Sequence, residues 1–113
     1  MDCAIAQSLT VRTFRAGSDK EAALKPLEEA AEAYGAWQRV NECMNDTTFP
    51  VCPNCADDVA TGGCYYGANL ADELADCITA CCNLAARYGL DLQAAIDRVE
   101  ARNRERGRYG SQD

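Results

Sequence analysis

The sequence predicts an all-α fold, a small helical bundle, on three observations. Long Ala- and Leu-rich stretches repeat their apolar residues at helical rather than alternating spacing. Capping signals stand where those stretches begin and end, at Ser18, Asn69, Gly89 and Asp91. The one β-rich run, Ser8-Leu9-Thr10-Val11-Arg12-Thr13-Phe14, is too short to make a sheet alone and reads as extended or irregular. With 113 residues, the chain is one domain spanning 1–113.

The elements follow in order. Ser18-Asp19-Lys20-Glu21 fits a capping box, with Ser18 as N-cap and Glu21 reaching back. A first helix should run from about Asp19 to Glu42, kinked or split near Leu24 by Pro26. Its apolar stripe is expected at Leu24, Leu27, Ala31 and Tyr34 together with Ala30, Ala33, Trp37 and Val40. The segment 43–68 carries Pro50, Pro53, Gly62, Gly63 and Gly67 and has no helical period. A second helix is expected from Asn69, as cap, to Tyr88, with Gly89 just past its end. Asp91 should cap a third helix running to about Arg106, with Leu92, Ala95, Ile96 and Val99 on one face. Tyr109 to Asp113 should fray.

Composition narrows the function. The net charge of −7 argues against nucleic acid as a partner. No apolar run is long enough to span a membrane, and the first seven residues are too short and too acidic for a signal peptide, so a cytoplasmic protein is expected. Helices rich in Ala supply little buried area per chain, which points to a homodimer or homotetramer. The chain has no histidine, so its chemistry must run on carboxylates, metal, Lys, Arg, Tyr or Cys.

Two acidic clusters stand out: Glu28-Glu29-Ala30-Ala31-Glu32 and Glu73-Leu74-Ala75-Asp76. Residues three apart share a helix face, so Glu29 lies with Glu32 and Glu73 with Asp76. Glu29 and Glu32 have Ala33 and Ala36 at i+4, and Glu73 and Asp76 have Cys77 and Ala80, where a solvated helix surface usually offers a basic partner. Four carboxylates meeting across two helices repel unless a cation sits between them. Mg²⁺ or Mn²⁺, hard and oxygen-seeking, suits such a cluster, and divalent metal on carboxylates is the common equipment of phosphate chemistry.

This EExxE…ExxD order, with Leu84-Ala85-Ala86-Arg87-Tyr88-Gly89-Leu90-Asp91-Leu92 and the tail Arg102-Asn103-Arg104-Glu105-Arg106-Gly107, resembles the MazG-like family of all-α nucleoside triphosphate pyrophosphohydrolases. The resemblance covers about Leu24 to Val40 and Leu70 to Arg106. It implies a MazG-like bundle that hydrolyses a (deoxy)nucleoside triphosphate to the monophosphate and pyrophosphate, a role in nucleotide-pool cleaning. It makes Glu29, Glu32, Glu73 and Asp76 the Mg²⁺ ligands, with Glu28 holding a further ion or acting on the attacking water. Arg102, Asn103 and Arg106 match the family's basic tail and would contact phosphate, a task to which the planar Arg fork is suited. Trp37 is a candidate for stacking the base; at helical spacing a lone Trp also fits a core.

The chain departs from the family in a Cys-rich insertion, 43–64, between the two acidic helices. Cys43, Cys52, Cys55 and Cys64 are separated by eight, two and eight residues around Cys52-Pro53-Asn54-Cys55. Three readings stand: a structural Zn²⁺ held by four thiolates, a pair of disulfides, or free thiols. Cys77, Cys81 and Cys82 are expected to fill the core as small apolar groups. Two rival functions remain open: a non-enzymatic, zinc-stabilised interaction module whose acids are surface charge, and a pyrophosphohydrolase of the same fold acting on another substrate such as phosphoribosyl-ATP.

Overall fold

A computed structural model describes residues 17–45 and 65–110. The described residues form three helices and no strand: α1 (Asp19–Asn45), α2 (Tyr65–Arg87) and α3 (Leu92–Glu105). The all-α expectation holds. Ser8–Phe14 and the central part of the Cys-rich insertion, Cys52, Cys55 and Cys64 included, lie outside the described residues.

Helices α1 and α2 pack on each other as an antiparallel pair. Arg87, at the end of α2, reaches the start of α1, donating to Asp19 Oδ1 at 2.6 Å and to the Gly17 carbonyl at 3.3 Å. Further in, Cys77 Sγ lies 4.0 Å from the Pro26 carbonyl. Seven of the nine buried and half-buried residues of α1 are spaced alternately four and three apart: Ala22, Pro26, Glu29, Ala33, Ala36, Val40, Cys43; Gly35 and Glu42 are the other two. On α2 the same spacing selects Tyr66, Leu70, Glu73, Cys77, Ala80 and Leu84. This is the spacing of the seam of a two-stranded antiparallel coil.

The seam differs from the expected stripe. The fully buried hydrophobic residues are Ala22, Ala33, Ala36, Val40, Cys43, Ala80 and Ala85. Leu24, Leu27, Tyr34 and Trp37, expected in the core, are exposed. Where alanines line the seam, at Ala22, Ala33, Ala36 and Ala80, the large side chains nearby sit on its flanks. Each buried alanine methyl contributes about 0.8 kcal/mol, against roughly 1.5–3 kcal/mol for a buried leucine, so the pair is thinly stabilised as a single chain.

Two other boundaries moved. α1 passes through Pro26 without a break. The ring removes one backbone hydrogen bond, but seam packing on both sides of it, at Ala22 and Ala33, holds the helix together. α2 begins at Tyr65, so Asn69 lies inside the helix rather than capping it. Tyr66 and Leu70 are seam positions, and packing against α1 outweighs the helix-breaking tendency of Gly67.

The local signals held where no packing competes with them. Ser18 Oγ accepts from the Glu21 N–H at 3.1 Å. Asp91 caps α3 by accepting from the Ala94 N–H at 3.0 Å. Gly89, at φ 65°, closes α2: the Leu90 N–H donates to the Ala85 carbonyl and the Gly89 N–H to that of Ala86. Gly107 repeats this at the end of α3, at φ 67°. α3 contains no buried residue. Its expected core face is open, and Leu92, Ala95, Ile96, Val99 and Tyr109 line a shallow apolar groove of about 310 Å³.

Candidate metal centre

Glu29 and Glu73 occupy seam positions, where a coiled pair ordinarily places an apolar residue. Glu32 stands one turn after Glu29 on the flank of the seam, and Asp76 occupies the matching flank of α2. The two motifs are thus brought together by the antiparallel register. A carboxylate oxygen from each of Glu29, Glu32 and Glu73 lies within 4.8 Å of the others. Asp76 is exposed and outside this trio, yet its charge acts on both Glu29 and Glu73.

The electrostatics follow from the placement. Half-burial between two helices strips water from Glu29 and Glu73, and this desolvation is the main cause that raises both carboxyls above the ordinary 4.5. Crowding by Glu32 is the next cause for each, followed by the charge of Asp76; Asp72 adds to the effect on Glu73. Lys25 opposes it at Glu29. Glu73 Oε2 is buried and has no hydrogen-bond partner. Two carboxylates in contact can bond only through a shared proton and otherwise repel. Three carboxylate oxygens converging at this spacing fit a hard divalent cation, and no thiol or imidazole competes for it in the trio.

The remaining candidates are distributed elsewhere. Glu28 is exposed and paired with Lys25 at 3.4 Å. Trp37 stacks on Tyr34, ring centroids 5.7 Å apart, on the flank of α1 opposite Glu32. Arg102, Asn103 and Arg106 belong to α3 and its last turn; Arg106 forms the C-cap, its N–H donating to the Arg102 carbonyl at 3.1 Å. Cys43 is buried at the last seam position of α1. Cys77 and Cys82 are half-buried, whereas Cys81 is exposed, contrary to its expected place in the core. Desolvation and the neighbouring Cys77 push the Cys81 thiol up.

The sequence reading missed that Glu29 and Glu73 sit in the seam itself, and missed Lys25 and Asp72 as charges acting on them. The seven-residue spacing through Ala22, Glu29, Ala36 and Cys43 was the available signal, hidden because alanine marks a core weakly. Compared with models of known families, with curated proteins and with solved structures, the chain gives no match. No described helix is long and apolar enough to cross a membrane.

Proposed function

We propose that the chain is a Mg²⁺- or Mn²⁺-dependent hydrolase that cleaves a (deoxy)nucleoside triphosphate to the monophosphate and pyrophosphate. The observation that carries this reading is the convergence of Glu29, Glu32 and Glu73 from two motifs that lie 41 residues apart, Glu32 to Glu73, on facing helices. Carboxylates placed in a seam destabilise the helix pair, so a function must account for them. A divalent cation bound there would supply charge neutralisation for the triphosphate and a lowered pKa for an attacking water.

The protein's own groups divide the rest of the work. Glu29, Glu32 and Glu73 would hold the cation, with Asp76 as the further carboxylate nearby. Glu28 stands one residue outside the trio, in water, where it can accept the proton of the attacking water. Lys25 stands beside it, its Nζ 3.4 Å from the Glu28 carboxylate. Arg102 and Arg106 are the candidate phosphate contacts, their guanidinium groups matched to paired phosphate oxygens.

Pyrophosphate release from a panel of NTPs and dNTPs, in Mg²⁺ and in EDTA, tests the reading. Release that needs Mg²⁺, favours one base, and is lost in Glu29→Gln and Glu73→Gln is the expected result. Release equal in both variants, or none from any nucleotide, overturns it.

A further inference from the structure

Helix α2 carries three cysteines, Cys77, Cys81 and Cys82, that the proposed hydrolysis leaves unused. All three are free thiols. Cys77 and Cys81 stand one turn apart and share a face of α2, where Cβ atoms lie about 5–6 Å from each other. Cys82 is turned about 100° away from Cys81 around the helix axis. Two sulfurs therefore converge and the third does not. Cys77 is held in the seam, its Sγ 4.0 Å from the Pro26 carbonyl, while Cys81 is exposed and opens the pair to solvent. No residue from 77 to 86 is charged. Leu74 and Ile78 stand three residues before Cys77 and Cys81, on the same side of the helix, and are 49 and 43% exposed.

We infer that Cys77 and Cys81 form a two-sulfur site for a soft, uncharged thiophile, a monosubstituted trivalent arsenical of the form R–As(OH)₂. The step is a condensation. Two As–O and two S–H bonds break, two As–S and two O–H bonds form, and two waters leave. No oxidant or reductant takes part. Three observations select this ligand. A structural zinc site closes with four ligands, and this face of α2 offers two sulfurs. A nucleophilic or redox thiol relies on a nearby cation to form its thiolate, and the run 77–86 has none. Desolvation and the neighbouring Cys77 push the Cys81 thiol up, so the pair keeps the protons that the condensation consumes. A Cu⁺ ion would instead need both thiolates. Leu74 and Ile78 give the organic substituent an apolar seat beside the sulfurs. Once bound, the arsenic bridges one turn of α2 just after Glu73. The inference does not depend on the hydrolase reading.

Phenylarsine oxide, which hydrates to the R–As(OH)₂ form, is the probe, titrated into the reduced full-length chain. Intact mass and peptide mapping read the adduct, and mapping separates it from arsenic taken up at Cys52 and Cys55. A phenylarsenic bridge between Cys77 and Cys81 is expected, displaced by ethanedithiol and not by the same concentration of a monothiol. Cys77→Ser and Cys81→Ser should each weaken binding at this site about a hundredfold, because a chelate becomes a single bond. Cys82→Ser should leave it unchanged. If a serine variant unfolds, the wild-type map decides alone. Arsenic mapped only to other cysteines, a bridge that runs through Cys82, or binding as tight in Cys77→Ser or Cys81→Ser as in the wild type overturns the inference.

Discussion

Glu73 shows what a carboxylate does in a helix seam. Its raised pKa means that the folded chain holds the proton more tightly than the unfolded chain, and the same is true of Glu29. Stability from these two groups is therefore fully present below the unfolded value of 4.5 and is lost as pH rises through the higher folded value. In EDTA, the thermal midpoint followed by circular dichroism should fall as pH is raised from 4.5 toward neutrality through this contribution. Glu73→Gln keeps the shape and removes the charge, so it should raise the metal-free midpoint at pH 7 and flatten the fall. A variant as pH-sensitive as the wild type would show that the repulsion lies elsewhere. Glu29→Gln should do less, because Lys25 already offsets part of the charge at Glu29.

Elements differ in whether local sequence or packing decides them. Asp91 and Gly89 were legible because a cap is a local device: one side-chain oxygen for one orphan N–H, one residue without a Cβ for a positive φ. Pro26 and Asn69 misled for the opposite reason, since the packing of α1 on α2 overrode a breaker in one and ran past a cap in the other. The consequences differ too. Asp91→Ala should cost about 1 kcal/mol and Gly89→Ala about 1–2 kcal/mol. Because α3 buries no residue, the loss at Asp91 should appear as faster amide exchange within α3, with the global unfolding transition little changed, whereas the loss at Gly89, which closes α2, should appear as faster exchange in the last turn of α2. Ala80 is the contrasting case, 2% exposed in the close-packed seam. Ala80→Leu adds volume where the helices nearly touch and should lower global stability by about 1–3 kcal/mol, read by urea denaturation.

At the scale of the whole molecule, the all-α class and the meeting of the two acidic motifs could be read from residue spacing. The location of the core could not. A sequence scan weights Leu, Tyr and Trp as core, and here most of the fully buried positions are alanines while Leu27, Tyr34 and Trp37 take a flank. The result is a hairpin with charge concentrated on one side, in a chain of net charge −7. Such a molecule responds to any salt, so a cation site must be separated from general screening. At 0.1 M ionic strength the Debye length is about 10 Å, long enough for NaCl to relieve repulsion across the exposed flank. NaCl should therefore raise the metal-free midpoint at pH 7 by a modest amount. Mg²⁺ or Mn²⁺ at the same ionic strength should raise it further, because oxygens from Glu29, Glu32 and Glu73 lie within 4.8 Å of each other and can share one ion. That excess should vanish in Glu73→Gln and persist in Glu42→Gln, whose carboxylate pairs with Arg39 at 3.4 Å on the same helix. Equal effects of NaCl and Mg²⁺ at matched ionic strength would reduce the cluster to surface charge and remove the ground for a metal-dependent hydrolase.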